Sequence, residues 1–317
     1  MIYIKLLILS LTIFASLYGP YKGFLNDTPI YTSEYFNINK GESISITISK
    51  ITNLNIPNKI FLRTYLYLNN INKFQLGEYA IENKNLKNII LDFKNGNTVT
   101  HKLLINEGMN IYQINEALDN SSLINNCYML ECIDTNFDFK EGILFPDTYF
   151  YKKNMLASNI LQKSHNKLNK ELNLIYKKRN LNNILNKEEI LILASIIEKE
   201  AGNDEEKFKI SSVFQTRLSI DMRLQADPTI IYGLLPNFDG DIKKSDILDS
   251  SNEYNTYMIN GLPPTPISIV SMSSLIAAAN AEIGEYLFFV ADTNNSHYFS
   301  KTYDEHLNKI KEIGLNK

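Results

Sequence analysis

A helix that is apolar on almost every side constrains the fold of this chain more than any other feature. The segment LILASIIEKEAG, Leu191 to Gly202, is apolar nearly all the way round and then ends in two closely spaced carboxylates, Glu198 and Glu200. A chain of 317 residues is long enough to bury such a helix in a substantial core and to divide into two or three units. Either one of the two carboxylates takes part in a reaction, or both lie on the solvated surface.

Helical periodicity separates these two carboxylates. At about 100° per residue, Glu200 lies on the same side as Leu193, Ile196 and Ile197, whereas Glu198 lies roughly 160° away. They therefore cannot share one substrate bond. A carboxyl in the last turn meets the negative end of the helix dipole, and burial against isoleucines adds desolvation, so both effects favour the protonated form. The pattern predicts Glu200 as a general acid. The alternative is a structural or solvated glutamate.

The charge balance and the cysteines limit the function classes. The net charge is −3, so no basic surplus is present to neutralise phosphates, and we expect no nucleic-acid partner. No paired-cysteine or histidine spacing typical of a metal site occurs, and no metal is expected. Cys127 and Cys132 either form a short disulfide or remain two unpaired thiols.

The first nineteen residues differ from the rest of the chain. Residues 1–19 are almost wholly apolar apart from Lys5, and Pro20 follows. We interpret this segment as a short, uncleaved membrane anchor; a cleaved secretory signal and a core helix are the alternatives. Both of the first two interpretations export the remainder of the chain.

Alternating patterns after the anchor predict an α+β fold. A polar tether at 20–37 precedes a module at 38–120, then come a connector at 121–152 and a second unit at 153–317. Within the module, strands and helices are predicted in turn for ESISITIS, NKIFLRTYLYLNN, FQLGEYAI, NLKNIILDFKNG and TVTHKLLINEG.

Several motifs resemble those of a known family. Residues 194–233, ASIIEKEAGNDEEKFKISSVFQTRLSIDMRLQADPTIIYG, resemble the signature block of the YceG-like family of endolytic murein transglycosylases. The resemblance continues in INEGMN, FPDTYFY, EYNTYMINGLPPTPIS and EYLFFVAD. It implies a single-pass inner-membrane helix at 1–19, a LysM-like αβ subdomain at 38–120 and a catalytic α+β domain like that of lytic transglycosylases at 153–317.

The family resemblance also implies a reaction. Such an enzyme cleaves the β-1,4 bond between N-acetylmuramic acid and N-acetylglucosamine in nascent glycan strands. The 6-hydroxyl of the muramic acid attacks C1 and leaves a 1,6-anhydro end, so neither a second carboxylate nor a cofactor is needed. The catalytic glutamate of the family motif falls on Glu200. The implied location is the inner membrane with the catalytic part in the periplasm. Peptidoglycan strands and peptidoglycan synthases are the implied partners, and termination of glycan elongation is the implied role.

Further residues are carried over from the motifs with weaker support. Candidates for binding the glycan, each with a packing role as the alternative, are Gln225, Asp227, Thr229, Tyr232, Asn255, Thr256 and Tyr257. Glu198 and Arg217 are expected to support the site, with an ion pair from Glu198 to Arg217 or Arg223.

The sequence departs from the family pattern at two places. IVSMSS, at 269–274, stands where a Pro-Gly turn is usual, and Ala201 replaces a hydroxyl residue that would hydrogen-bond to the acid. A non-catalytic peptidoglycan-binding scaffold is the alternative function. A pyridoxal-phosphate lyase with Lys199 as the Schiff-base lysine is disfavoured, because no glycine-rich phosphate-binding turn accompanies that lysine.

Overall fold

The computed structural model describes residues 2–31, 33–292 and 296–314, and it confirms a mixed α+β fold that is mostly helical with small sheets. The chain divides into two compact units. Unit 1 comprises Met1–His101 and Phe150–Asn154, and unit 2 comprises Lys102–Tyr149 and Met155–Lys317. The strands of the described residues form three two-stranded sheets. They pair Tyr35–Ile38 with Gly77–Ala80, His101–Ile105 with Asp147–Tyr151, and Phe288–Ala291 with His297–Ser300.

Unit 1 is built around one antiparallel strand pair and four helices. Its elements are α1 (Ile2–Asn26), β1 (Tyr35–Ile38), α2 (Ile44–Ser49), α3 (Ile56–Leu68), β2 (Gly77–Ala80) and α4 (Leu86–Asn95). Phe36 of β1 lies opposite Tyr79 of β2, and both rings pack against Phe93 of α4. Gly96 ends α4 in a left-handed conformation with φ 72°, as its position after the apolar periodicity predicts. The predicted helices and the second strand of this module are confirmed.

The strand predicted for ESISITIS is wrong, because this segment forms helix α2. Ser43 caps the helix by accepting a hydrogen bond from the backbone N–H of Ile46. The helix buries the neighbouring residues Thr47 and Ile48 and leaves Ile46 53% exposed. The alternating isoleucines therefore do not mark one buried face. The N-cap at Ser43 stabilises a helix here despite the preference of isoleucine for strands.

Helix α1 extends the predicted apolar segment through Pro20 to Asn26. Phe24 and Leu25, near its end, are buried in the core of unit 1. Across the part of the chain that the structure describes, no helix has both the length and the hydropathy required to traverse a bilayer.

Unit 2 contains most of the helices. Its elements are β3 (His101–Ile105), α5 (Ile111–Asp119), a 3-10 helix (Tyr128–Leu130), β4 (Asp147–Tyr151), α6 (Ala157–Lys177), α7 (Lys187–Glu200), α8 (Lys207–Ser219), α9 (Asp227–Gly233), α10 (Lys244–Ile247), α11 (Met272–Asn280), β5 (Phe288–Ala291), β6 (His297–Ser300) and α12 (Tyr303–Glu312). The first residue of β3 and the last two residues of β4 are assigned to unit 1.

Helix α7 is the central helix of unit 2. Every residue from Ile190 to Ile197 is buried, and the helix packs against α6, α8, α9 and α11. Asn186 with Glu189 three residues later predicts a capping box, and it is present: the Asn186 side chain accepts from the backbone N–H of Glu189, whose carboxylate accepts from the Asn186 backbone N–H. The all-round apolar pattern is explained by this surrounding layer of helices.

The two cysteines are joined in a disulfide. Their Cα atoms lie 4.9 Å apart, which is within the usual range for such a bond. The segment between them contains only the short 3-10 helix, and Met129 within it has a left-handed backbone with φ 49°. The chain therefore turns back on itself there, and the divergence of side chains expected on a continuous α-helix does not arise.

Candidate active site

The Glu198 carboxylate accepts several hydrogen bonds and lies close to a lysine. Its Oε2 accepts hydrogen bonds from the backbone N–H of Ser271 at 2.9 Å, the Ser271 hydroxyl at 2.5 Å and the Ser274 hydroxyl at 2.6 Å. The ammonium of Lys207 lies 3.4 Å away. Ser271 is also the N-cap of α11, so the IVSMSS segment begins that helix and supplies donors to Glu198. These contacts join the end of α7 to the start of α11.

The predicted ion pair of Glu198 with Arg217 or Arg223 is wrong. Arg217 is buried and donates to the carbonyls of Leu287 at 2.7 Å and Leu224 at 2.6 Å. Arg223 donates to the carbonyl of Tyr257 at 2.9 Å. Lys207, and not an arginine, is the cation beside Glu198, because α8 begins next to the end of α7. This proximity follows from the fold rather than from sequence spacing.

Glu200 lies in a different environment. The residue is half-buried, and none of the described residues donates a hydrogen bond to its carboxyl. Burial, and secondarily the nearby charge of Asp227, raise the pKa of Glu200 to about 8, although the positive charge of Arg217 acts in the opposite direction. Glu200 therefore carries its proton at neutral pH and is free to donate it.

Asp227 is the second carboxylate near Glu200. It is exposed at the first turn of α9, and it accepts a hydrogen bond from the Tyr257 hydroxyl at 2.7 Å. Burial and this bond raise the pKa of Tyr257, which therefore stays neutral. Glu200, Asp227, Tyr257 and Arg217 influence one another electrostatically and form a single cluster, which we call the acid cluster.

Three of the predicted glycan-binding side chains are completely buried: Thr229, Asn255 and Thr256. The hydroxyls of Thr229 and Thr256 lie 2.9 Å apart, and both bond to the backbone of Ala226. The Asn255 amide donates to three carbonyls in the segment 246–249. These bonds hold the backbone around α9 in place, as the packing alternative requires, and contact with a substrate stays a prediction for these residues.

The other two candidates occupy distinct positions. Gln225 is exposed, has a left-handed backbone with φ 49° and donates its N–H to the carbonyl of Thr256 at 3.2 Å. Tyr232 is half-buried at the far end of α9, and its ring packs against that of Tyr254 at an angle of 58°, with ring centroids 4.7 Å apart. Its hydroxyl donates to Glu141 at 2.9 Å. Gln225 is thus accessible, whereas the Tyr232 hydroxyl already has a partner.

Glu141 was not identified from the sequence. It is only 4% exposed, and burial raises its pKa to about 7 despite the hydrogen bonds that it accepts. The only signal in the sequence is an acidic residue at the start of EGILFPDTYFY, which is otherwise aromatic and apolar from Ile143 to Phe145. The sequence of this motif predicts either a packed linker or a wall of a binding cleft, and burial of its carboxyl depends on contacts with segments distant in sequence.

Two observations concern the metal and Schiff-base chemistries. Among the described residues, no group of three or more His, Cys, Asp or Glu side chains is placed to hold a metal ion. Lys199, the candidate Schiff-base lysine, is exposed, and its ammonium lies 3.3 Å from the carbonyl of Gly108.

The acid cluster thus places one glutamate with a raised pKa, Glu200, at the end of the buried helix α7. The chain belongs to the YceG-like family, whose model matches residues 36–312. It is 32% identical over 310 residues to a protein of Bacillus subtilis named endolytic murein transglycosylase, covering 89% of this chain and 84% of that protein.

Two further comparisons agree with this assignment. A protein of the same name from Streptococcus pneumoniae R6 is 31% identical over 178 residues, which is 54% of this chain and 32% of that protein. A crystal structure of a yceG-like protein from Listeria monocytogenes superimposes with a TM-score of 0.57 at 28% identity, covering 87% of this chain and 99% of the other.

Proposed function

We propose that this chain is an endolytic lytic transglycosylase that cleaves the β-1,4 bond between N-acetylmuramic acid and N-acetylglucosamine within murein glycan strands. The observation that carries this proposal is the Glu200 carboxyl at the end of α7, which is protonated at neutral pH and receives no hydrogen bond from the described residues. The names of the relatives support the same reaction class.

The reaction requires one residue to act first as an acid and then as a base. Glu200 donates its proton to the glycosidic oxygen while the bond from that oxygen to C1 of the muramic acid breaks. The resulting carboxylate accepts the proton of the 6-hydroxyl, whose oxygen forms the new bond to C1. The products are a free 4-hydroxyl on the glucosamine and a 1,6-anhydromuramoyl end. No water is consumed, and Glu200 regains its proton.

Asp227 has a supporting role in this scheme. Its carboxylate is held by the Tyr257 hydroxyl, and its charge adds to the effect of burial in raising the pKa of Glu200 before the reaction. The same charge favours the positive character that develops at C1 in the transition state. Because the attacking hydroxyl belongs to the sugar, Asp227 need not act as a nucleophile.

The cellular setting is proposed from the sequence. The apolar segment 1–19 anchors the chain in the inner membrane, and the LysM-like module at 38–120 and the catalytic domain at 153–317 face the periplasm. There the enzyme terminates strands made by peptidoglycan synthases. Alkaline carbonate extraction tests the anchor: an anchored chain stays with the membrane pellet, and release into the supernatant contradicts the anchor.

The reaction is tested by digesting uncrosslinked glycan strands with the purified chain. Mass spectrometry should find new 1,6-anhydromuramoyl ends, together with shorter strands cut at internal positions. If the chain binds glycan without shortening it, the scaffold alternative replaces the enzymatic one. If the new ends are ordinary reducing ends, the chain is a hydrolase.

The rate should fall as the pH rises through about 8. The acid form of Glu200 is required, and its pKa of about 8 places the loss of that form in this range. In Asp227→Asn the neighbouring negative charge is removed, so the pKa of Glu200 falls and the alkaline limb of kcat/KM moves to lower pH. A pH–rate profile of both proteins measures this shift, and an unmoved limb contradicts the electrostatic coupling.

A further inference from the structure

Glu141 is a buried carboxyl without a cationic partner among the described residues. Two of its three hydrogen bonds come from backbone N–H groups: Ile111 at 2.8 Å and Gly142 at 2.9 Å. Ile111 is in the first turn of α5, where the exposed N–H groups and the helix dipole favour a negative charge. The third donor is the hydroxyl of Tyr232 at 2.9 Å. Burying a carboxyl is unfavourable unless its oxygens are bonded, and these three donors satisfy it.

The position of Glu141 is fixed by its own loop. Gly142 has a φ of +70°, and a Cβ at this residue would lie 2.6 Å from Pro266 and 2.9 Å from the carbonyl of Ser268. The loop therefore packs directly against segment 266–268, which begins with Pro266, the last residue of the GLPPTP motif. Glu141 is thus a rigid acceptor and not a mobile surface side chain.

Helix α9 is held at both ends. At its far end, Tyr232 donates to Glu141, and Gly233 abuts the Asn252 side chain so closely that no Cβ fits between them. At its near end, Asp227 accepts from Tyr257. With seven residues, the helix is less than two full turns long and moves as one body. Displacement of Tyr232 would therefore also displace Asp227.

We propose that Glu141 is a positioning residue for the reaction: through Tyr232 it fixes α9, and so it holds Asp227 in place beside Glu200. This inference rests on the proposed function. Glu141 makes no contact with the acid cluster in this arrangement and acts only through the helix. Electrostatic interaction falls with distance, so a loosened α9 weakens the effect of Asp227 on Glu200.

Within the part of the chain that the structure describes, the titratable groups that interact with Glu141 are Tyr232 and Tyr254. Tyr112 interacts with both of these tyrosines, and Glu253 interacts with Tyr254. A change at Glu141 therefore reaches the acid cluster by way of Tyr232 and α9, since no described ion pair connects the two.

The test compares Tyr232→Phe and Glu141→Gln with a matched control, Tyr149→Phe, in the full-length chain. Tyr232→Phe removes only the donated hydroxyl and keeps the aromatic ring against Tyr254. The control removes another hydroxyl of unit 2, which donates to the carbonyl of Phe145 at 2.9 Å and has no described hydrogen bond to α9. Turnover of uncrosslinked glycan is measured for each protein across the pH range, along with its thermal unfolding.

We expect both Tyr232→Phe and Glu141→Gln to lower kcat by about tenfold with little change in KM, because small misplacement of catalytic groups reduces the chemical step. The alkaline limb of the pH–rate profile of each variant should also move to lower pH. A merely structural role would reduce the unfolding temperature without moving that limb. Glu141→Gln places a hydrogen-bond donor where three donors already point at this side chain, which disfavours folding. Tyr232→Phe adds no donor, so it is the variant that we expect to fold normally.

The outcomes separate this inference from the proposed function. A wild-type chain that forms no anhydro ends overturns the proposed function, and this inference with it. An active wild type with an equally active Tyr232→Phe variant, and the same pH profile for both, overturns the inference alone. The same holds if Tyr149→Phe lowers kcat and moves the alkaline limb as much as Tyr232→Phe does.

Discussion

Glu200→Gln should lower kcat by on the order of 10³-fold while leaving the fold intact, because general acid catalysis of this kind contributes factors of that size. The amide has nearly the shape of the protonated carboxyl but cannot donate a proton to a glycosidic oxygen or accept one from a hydroxyl. At neutral pH the native Glu200 is already uncharged, so the substitution changes little in the surrounding electrostatics. Release of anhydro ends with time gives kcat, and circular dichroism checks the fold.

Glu198→Gln is the matched control, because it changes the same residue type in the same helical turn. Glu198 faces the hydroxyls of Ser271 and Ser274 and is not part of the acid cluster, so turnover should be largely retained. Full activity in Glu200→Gln would contradict the assignment of the acid. Equal losses in both variants would show that the end of α7, and not one carboxyl, determines the rate.

Glu198→Ala should destabilise the protein by about 3 kcal/mol, because removing one partner of a buried pair leaves the others unsatisfied. The Lys207 side chain is only 7% exposed and would lose this carboxylate, although Asp204 remains 2.7 Å from its ammonium. Two serine hydroxyls and the backbone N–H of Ser271 would also lose their acceptor. Urea denaturation of the two proteins measures the difference in the free energy of unfolding.

Asp204→Ala is the matched control for this loss of stability. Asp204→Ala removes the other carboxylate near Lys207, but Asp204 is 73% exposed at its side chain, so the loss should be no more than about 1 kcal/mol. If Glu198→Ala is as stable as the wild type, the hydrogen-bonded junction between α7 and α11 has no structural importance. If Asp204→Ala is the less stable variant, the main partner of Lys207 has been misassigned.

Local features explain what the sequence predicted correctly. The capping box at Asn186 and the 3.6-residue periodicity place Glu198 and Glu200 on opposite sides of α7, because both depend only on residues close in sequence. The structure brings these two carboxylates into different surroundings, as the helical arithmetic indicates. The strand assigned to ESISITIS fails for a related reason: a six-residue window cannot distinguish a short capped helix from a strand when isoleucines alternate.

Contacts between distant segments explain what the sequence did not predict. Lys207 replaces the expected arginines beside Glu198, and its selection depends on how α8 and α11 pack on α7. Glu141 is 91 residues from Tyr232, so no local pattern relates them. Burial also determines the pKa of Glu141 and much of that of Glu200, and burial is a property of the folded chain.

Digestion of uncrosslinked glycan in water enriched in ¹⁸O tests the central claim most directly. If the 6-hydroxyl of the muramic acid attacks C1 after protonation by Glu200, the new ends are 1,6-anhydro sugars that contain no ¹⁸O and are lighter by one water than reducing ends. Mass spectrometry distinguishes these products from those of hydrolysis. New reducing ends that carry ¹⁸O at C1 would show that water is the nucleophile and would contradict the transglycosylase mechanism.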